Sequence, residues 1–251
     1  MIKKRIIARI DVKNEYVIKG IHLEGLRKVG DPNELAVKYY QQGIDEIVFM
    51  DAVASLYERN NIFPIIEKAC KDVFIPITIG GGIRRVADIE KALKSGADKI
   101  AINTQAIKTP QIIKEASRIY GSQCIVASIE AKKKGNSWEA YIDNGREETG
   151  VDVLEWATRL EELGAGEIMI TSVDKEGTKK GFDIELTKKI TERLSIPVIA
   201  SGGAGNIIHI EELCNNTDAS GIAIASVLHY NFLDIGQIKS RLHAKGINIR
   251  L

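Results

Sequence analysis

The sequence predicts an α/β protein, a TIM (β/α)8 barrel made of two half-barrel repeats of four βα units each. Eight short β-branched runs alternate with amphipathic segments, a pattern typical of βα units around a parallel sheet. The second half of the chain also repeats the first. The length, 251 residues of which 44% are apolar, favours a single barrel domain with half-barrels at about 1–121 and 122–251. An open doubly wound sheet is the alternative.

The predicted elements follow one another in regular order. The strand-like runs are 5–11, 46–51, 75–80, 98–103, 123–130, 167–172, 196–201 and 221–226. Helical patterns between them cover 31–43, 65–73, 86–96, 111–121, 153–164 and 184–194. The first helix has Asp31 as its N-cap and Pro32 at the first helical position, with Gly43 as the expected C-cap. After the fifth strand, Asn144-Gly145 predicts the turn of an extra hairpin.

The internal repeat is the most informative feature of the chain. The segment 43–47 matches 164–168, and Gly81-Gly82 matches Gly202-Gly203, each 121 positions later. The segments 100–103 and 6–11 match 222–225 and 125–130 at offsets of 122 and 119. Four matches at offsets of 119 to 122 predict two half-barrels related by a pseudo-twofold axis.

The repeat makes Asp11 and Glu130 equivalent residues. Both stand at the C-terminal ends of strands, on opposite sides of the barrel mouth, which is where barrels of this class place their active sites. Two carboxylates whose pKa values are pushed apart can serve as general base and general acid. The alternative is that each acid only caps the turn that follows it.

Glycine pairs supply two candidate phosphate cradles, because glycine lets backbone N–H groups approach a phosphate closely. Glycine also serves turns and tight packing, so a single pair would be weak evidence. The first cradle consists of Gly81, Gly82, Asn103 and Thr104, and the second of Ser201, Gly202, Gly203, Ala225 and Ser226. Two cradles on opposite sides predict a substrate phosphorylated at both ends.

Four charged residues lie at or beside the N-terminal ends of strands, namely Arg5, Glu46, Lys99 and Glu167. They are expected to form a ring of ion pairs at the barrel bottom. The ring either stabilises the fold or gates a channel for a small neutral molecule such as ammonia.

Composition excludes several classes of partner. Lys plus Arg number 35 and Asp plus Glu 34, so the net charge of +1 gives no reason to expect nucleic acid or a membrane surface. The cysteines (Cys70, Cys124 and Cys214) lack metal-ligand spacing, and we expect neither a metal nor a cofactor. With no signal-peptide pattern at the N-terminus, a cytoplasmic protein is expected.

The histidines (His22, His209, His229 and His243) are interpreted as structural or surface residues. The segment 22–27 is interpreted as part of a lid or as an ordinary loop.

Together, these residues resemble a known family. The segments RIIARIDVKNEYVIKG, GGGIR, GADKIAINT, YGSQC, GAGEIMITSVDKEGT and IPVIASGGAG are similar to the cyclase subunit of imidazole glycerol phosphate synthase, HisF, over essentially the whole chain. The resemblance implies a heterodimer in which a glutaminase subunit, HisH, docks on the barrel bottom. Its ammonia would convert a bisphosphorylated ribulosyl-aminoimidazole to imidazole glycerol phosphate and aminoimidazole carboxamide ribotide.

The resemblance also assigns roles to residues. It implies catalysis by Asp11 and an ammonia gate formed by the ring. Asp98 would meet the glutaminase, and Lys19 would belong to the mobile loop after strand one. The loop after strand six would help to bind substrate through Asp174, Gly177 and Thr178.

Two positions depart from the family pattern, since Glu130 and Glu176 stand where aspartate is usual. The longer acids keep open a HisF-like paralogue that delivers ammonia to a sugar and forms an amidino group in surface glycan synthesis. A HisA-like isomerase would need no ring of charges. A barrel that only activates its glutaminase would leave Asp11 and the cradles without a role.

Overall fold

The computed structural model describes residues 3–54 and 62–251, which contain a closed barrel with its helices and two hairpins. The strands are β1 (Arg5–Lys13), β2 (Tyr16–Ile21), β3 (Glu24–Gly30), β4 (Glu46–Asp51), β5 (Ile77–Gly80), β6 (Lys99–Ile102), β7 (Ile125–Lys134), β8 (Ser137–Ile142), β9 (Glu147–Asp152), β10 (Glu167–Ser172), β11 (Val198–Ser201) and β12 (Gly221–Ile224). The helices of these ranges are α1 (Pro32–Gln41), α2 (Phe63–Ala69), α3 (Val86–Lys94), α4 (Thr104–Lys108), α5 (Gln111–Tyr120), α6 (Val153–Glu162), α7 (Ile184–Arg193), α8 (Ile207–Asn216), α9 (Ser226–His229) and α10 (Ile235–Ala244).

The barrel consists of β1, β4, β5, β6, β7, β10, β11 and β12, all paired in parallel. Because β7 pairs with β10 and β12 pairs with β1, the sheet closes on itself. The predicted TIM barrel is therefore confirmed, and the open doubly wound sheet is excluded. β1 and β7 lie opposite each other in the ring of eight strands.

Two antiparallel hairpins extend from the mouth of the barrel. The predicted one, β8–β9, is an extension of β7, which continues past the barrel to Lys134 in order to pair with β8. Its turn contains Asp143, Asn144 and Gly145, all with positive φ angles of 52° to 73°, as the Asn-Gly signal indicates. The second hairpin, β2–β3, pairs with the end of β1 and was not predicted from the sequence.

The first helix begins as predicted but ends one residue earlier. The Asp31 carboxylate caps it by accepting hydrogen bonds from the backbone N–H groups of Asn33 and Glu34. Its C-cap is Gln42, and the expected cap, Gly43, is the next residue, with a φ angle of 84°. The prediction was off by one because the left-handed conformation belongs to the residue after the cap.

Side chains inside the barrel form an apolar cluster of their own. It consists of Ile7, Val48, Met50, Ala101, Val126, Met169, Ile199 and Ala223, whereas Ile6, Ala8 and Ile10 belong to the larger core under the helices. Successive strand residues face opposite ways, so Arg5, Arg9 and Asp11 share the inward face with Ile7. None of the helices that the structure describes has the length and apolar composition of a membrane span.

Candidate active site

Asp11 and Glu130 lie at opposite sides of the barrel mouth, near the C-terminal ends of β1 and β7. Both carboxylates are buried, with only 6% of each residue exposed. A buried carboxylate is stable in its charged form only if cations or hydrogen-bond donors surround it. The state of each acid therefore depends on its neighbours.

Two cations hold Asp11 in its ionised form. Arg9 Nε lies 2.8 Å from Asp11 Oδ1, and Lys19 Nζ lies 3.3 Å from Oδ2. Burial alone would raise the pKa of Asp11, but Arg9 and Lys19 outweigh that effect and lower the pKa to about 2. Asp11 is a carboxylate at any pH near neutrality.

Glu130 has no bonded cation among the described residues. Its Oε2 accepts a hydrogen bond of 2.8 Å from the backbone N–H of Gly145, in the turn of the β8–β9 hairpin. Burial raises the pKa of Glu130 to about 7, although the more distant Arg9 and the Gly145 bond partly oppose it. Glu130 can therefore gain or lose a proton near neutral pH, as a general acid or base must.

Arg9, which the sequence reasoning did not single out, lies in the barrel interior with 3% of the residue exposed. Besides Asp11, its guanidinium contacts Thr171 Oγ1 at 2.8 Å and Ser201 Oγ at 3.2 Å, both through Nη1. The alternation along β1 could have indicated it, because Arg5, Arg9 and Asp11 fall on the same face as Ile7.

The first glycine cradle opens into a cavity of about 270 Å³. Its lining includes the predicted residues Gly81, Gly82, Asn103 and Thr104, together with Arg9, Glu130, Arg84 and Lys108. The backbone of Gly81 has a φ angle of 92°, and an added Cβ would lie 2.3 Å from the carbonyl oxygen of Asp51. Only glycine fits this position. The cradle thus combines accessible backbone with cationic side chains.

The second cradle encloses a cavity of only about 10 Å³. Its lining includes the predicted residues Gly177, Ser201, Gly202, Gly203, Ala225 and Ser226, and again Arg9. Gly203 has a φ angle of 111°, and a Cβ there would lie 2.0 Å from the carbonyl oxygen of Gly181. Both glycine pairs therefore meet the backbone of a neighbouring segment, although the two cradles differ in size.

The β2–β3 hairpin covers the mouth on the side of Asp11. It carries Lys19 inward, where the ammonium group forms ion pairs with both Asp11 and Glu176. The backbone N–H of His22 donates to the carbonyl oxygen of Glu176 at 2.8 Å, and Asn144 Nδ2 donates to the carbonyl oxygen of Leu23 at 3.2 Å. Segment 22–27 thus packs on the loop after β10 and on the turn of the β8–β9 hairpin.

Two residues of the loop after β10 lie outside both cavities. Asp174 accepts a hydrogen bond of 2.7 Å from the backbone N–H of Lys133 and is exposed. Thr178 donates its hydroxyl hydrogen to the carbonyl oxygen of Lys175. Asp174 thus connects the loop to β7 and Thr178 bonds within the loop, whereas Gly177 lies at the second cradle.

The four charged residues at the opposite end form a closed ring of ion pairs. Arg5 Nη1 lies 2.7 Å from Glu46 Oε1, and Arg5 also pairs with Glu167. Lys99 Nζ lies 3.1 Å from a carboxylate oxygen of both Glu46 and Glu167. The apolar cluster that includes Ile7 and Met169 separates this ring from Arg9 and the acids. Asp98, beside the ring, is exposed and accepts a hydrogen bond from the backbone N–H of Ile77.

His229, interpreted from the sequence as structural or at the surface, is buried behind Asp11. Its Nδ1 shares a hydrogen bond of 2.7 Å with the Tyr39 hydroxyl. Burial, and then the charge of Lys19, lower the pKa of His229 to about 4, so the imidazole is neutral. Within residues 3–54 and 62–251, no group of three or more His, Cys, Asp or Glu side chains could hold a metal ion.

The mouth therefore offers an ionised acid, an acid that titrates near neutrality and two glycine cradles.

Comparison with known proteins adds to this geometry. The family model described as "Histidine biosynthesis protein" matches residues 5–234. An imidazole glycerol phosphate synthase subunit HisF from Legionella pneumophila is 58% identical over 204 residues, covering 81% of this chain and 96% of that protein. A HisF subunit from Dehalococcoides mccartyi is 44% identical over 251 residues, covering 100% of this chain and 99% of that protein.

Proposed function

The chain belongs to the histidine biosynthesis protein family, among the HisF subunits of imidazole glycerol phosphate synthase, and on this premise we propose that it is the cyclase subunit of that synthase. The enzyme uses ammonia to convert a bisphosphorylated ribulosyl-aminoimidazole substrate. The products are imidazole glycerol phosphate and aminoimidazole carboxamide ribotide. Residues 1–251 would act as one barrel domain.

The arrangement of the mouth is the observation that carries the proposal. Two buried acids face each other between two glycine cradles, an arrangement that suits a substrate with a phosphate at each end. In this proposal, Asp11 takes up a proton as the base and Glu130 supplies one as the acid during ring closure. The different surroundings of the acids support this division. Two bonded cations keep Asp11 free of a proton, whereas Glu130, bonded to a backbone N–H group, can hold a proton near pH 7.

The cradles are proposed to bind the two phosphates. The first supplies the backbone of Gly81 and Gly82 and the polar side chains of Asn103 and Thr104. The second supplies Gly202, Gly203 and the hydroxyl group of Ser226, and must widen from its volume of about 10 Å³ to admit a phosphate. Lifting of the β2–β3 hairpin, which carries Lys19, would uncover that side of the mouth.

Ammonia is proposed to enter from the opposite face. A HisH-like glutaminase would dock on the N-terminal end of the barrel, where Asp98 is exposed, and the ring of Arg5, Glu46, Lys99 and Glu167 would act as the gate. The ring has two cations and two anions in contact, so its formal charges balance. A neutral molecule crosses such a ring without losing the solvation energy that an ion would lose.

The other readings of the sequence receive less support. The relatives that match over most of the chain are HisF subunits of the histidine enzyme, so the glycan paralogue is not favoured. The closed ring of four charges has no use in an isomerase that needs no ammonia. A purely activating barrel would not need an acid pair with divided pKa values.

Turnover with free ammonia tests the proposal. The purified chain, given the bisphosphorylated ribulosyl-aminoimidazole and a saturating ammonium salt at constant free ammonia, should form both products in equal amounts. Glutamine should support the reaction only after a HisH-type glutaminase is added. Absence of both products under either condition, with the glutaminase bound, would contradict the proposed function.

A further inference from the structure

Arg9 is a buried cation at the centre of the barrel mouth. Its guanidinium lies on the inward face of β1, above the apolar cluster that contains Ile7. Of the residues that line either cradle cavity, Arg9 is common to both. A guanidinium is stable in such a place only if it is well paired, because burial removes its hydration.

The contacts of Arg9 join three strands of the barrel. Nε bonds to Asp11 on its own strand, and Nη1 bonds to Thr171 on β10 and to Ser201 on β11. The planar guanidinium presents its donors in a fixed geometry, so these three acceptors together determine where it lies. Asp11 is the carboxylate to which it is hydrogen-bonded, whereas Glu130 lies farther away and interacts with it only through charge.

We propose that Arg9 is a positioning residue for the acid pair. Its guanidinium, anchored on β10 and β11, fixes the Asp11 carboxylate in place as the ionised partner and leaves Glu130 as the partner that exchanges a proton. The two assigned roles rest on the proposed function. The unequal effect of Arg9 on the two acids follows from its contacts alone.

Other ionisable groups also face this pair and must be counted with Arg9. They are Lys19 on β2, Glu176 in the loop after β10, Asp143 in the turn of the β8–β9 hairpin and His229 on α9. Lys19 is shared between Asp11 and Glu176, so its charge is divided between two carboxylates. Arg9 has Asp11 as its bonded carboxylate and is therefore the stronger influence on Asp11.

Ser201 gives this arrangement a second consequence. Its hydroxyl group lines the second cradle and accepts a hydrogen bond from Arg9 at the same time. Arg9 thereby connects the cradle of one half-barrel to the acid of the other. A phosphate bound at Ser201 would lie near the group that fixes Asp11.

Carboxyl NMR titration tests the inference in the free protein, without any need for turnover. Side-chain carboxyl signals of Asp11 and Glu130 are followed over the pH range in which the chain stays folded, in the wild type, Arg9→Met and Arg9→Lys. Arg118→Met, an exposed position on α5, is the matched control. Removing a bonded cation raises a carboxyl pKa by about one unit or more.

The expected result is that Asp11 stays ionised throughout in the wild type and the control. In Arg9→Met its midpoint should rise into the observable range, and that of Glu130 should move above its wild-type value of about 7. Arg9→Lys keeps the positive charge but lacks the planar guanidinium, so the pKa of Asp11 should remain low. Arg9→Lys should also recover part of the turnover rate that Arg9→Met loses. Unchanged midpoints in a folded Arg9→Met would overturn the inference.

Turnover separates the inference from the proposed function. If the wild type forms both products, the pH profile of turnover in Arg9→Met should lie at higher pH than that of the wild type. An unshifted profile would make Arg9 a structural residue and overturn the inference. If the wild type forms no product, the proposed function fails while the NMR midpoints still decide the role of Arg9.

Discussion

The two halves of the barrel place the same kind of residue at the same position and surround it differently. In the first half, Asp11 is bonded to Arg9 and Lys19 and its pKa falls to about 2. In the second half, Glu130 is bonded to a backbone N–H group and its pKa rises to about 7. Equivalent positions in a repeat can thus differ in protonation near neutral pH.

The two hairpins contribute to this difference beside Arg9, since each is attached to a different half. β2–β3 brings a charged ammonium, that of Lys19, to Asp11. β8–β9 brings only the neutral backbone of Gly145 to Glu130. The shared strands fix where the acids lie, and Arg9 on β1, together with the segments added at the strand ends, determines which acid keeps its proton.

The cradles differ in the same way. The first has a cavity of about 270 Å³, whereas the second, beside the loop that the β2–β3 hairpin contacts, has about 10 Å³. The first also includes Arg84 and Lys108 in its lining. This asymmetry predicts that the first cradle is the more accessible of the two for a phosphate.

Removing the charge of the first-half acid should have the largest effect. Asp11→Asn keeps the shape of the side chain but cannot accept a proton, and general acid–base catalysis contributes on the order of 100-fold to 10,000-fold. We expect turnover to fall by about that amount, measured as kcat with free ammonia, while binding of the glutaminase is retained. Loss of glutaminase binding together with turnover would argue against a role confined to the mouth.

The second-half acid should be visible in the pH profile. Glu130 holds its proton below pH 7 and loses it above, while Asp11 stays ionised throughout this range. If Glu130 supplies the proton, kcat at constant free ammonia should fall about tenfold per pH unit above 7. Glu130→Gln should be slow and lack this descending limb. A rate that instead rises through pH 7 would reverse the roles of the two acids.

The ring at the other end joins the halves, since Arg5, Glu46 and Lys99 come from the first and Glu167 from the second. Lys99→Ala removes the cation that both glutamates share on one side. We expect glutamine hydrolysis in the complex to yield well below one product per glutamine, measured by counting glutamate against product. Lys94→Ala, at an exposed site on α3, should leave the ratio unchanged. Equal ratios in both variants would leave the ring a structural role only.

The smallest expected effect compares the cradles. A hydrogen bond to a charged group such as phosphate contributes about 1.5 kcal/mol or more, so Ser226→Ala should raise the KM for the bisphosphorylated substrate about tenfold and leave kcat unchanged. Thr104→Ala should change both KM and kcat. The Thr104 hydroxyl also accepts a hydrogen bond from the backbone N–H of Asp143, in the turn that contacts Glu130. Identical effects in steady-state kinetics would show that the cradles do not differ in this respect.

Much of this architecture could be predicted from the sequence because it depends on periodicity and repetition. Short β-branched runs that alternate with amphipathic segments located the strands, and the repeat located Asp11, Glu130 and the glycine pairs. The ring was predictable because charged side chains at the starts of the barrel strands lie at the same end of the barrel. Each of these features follows from position along a regular element.

Other features depend on tertiary contacts that no local pattern encodes. Tyr16–Ile21 pairs with the end of β1, and Glu24–Gly30 pairs with Tyr16–Ile21 to complete a hairpin over the mouth. His229 was expected to be structural or at the surface, and only the fold shows that it is buried on α9 against Tyr39. Alternation along β1 places Arg9 on the inward face, but its hydrogen-bond acceptors lie on β10 and β11, far away in the sequence.

The most direct test is the rate of ammonia-dependent turnover near pH 7 in the wild type, Glu130→Asp and Glu130→Gln, with Glu147→Asp at an exposed site as the control. Shortening the acid by one methylene withdraws its carboxylate from Gly145, and a misplacement of about 1 Å can cost on the order of 100-fold. If Glu130 is the acid that works in the second half, turnover by Glu130→Asp should be slower by roughly ten- to 100-fold. Turnover by Glu130→Gln should be slower still. A Glu130→Asp variant as fast as the wild type, or faster, would contradict it.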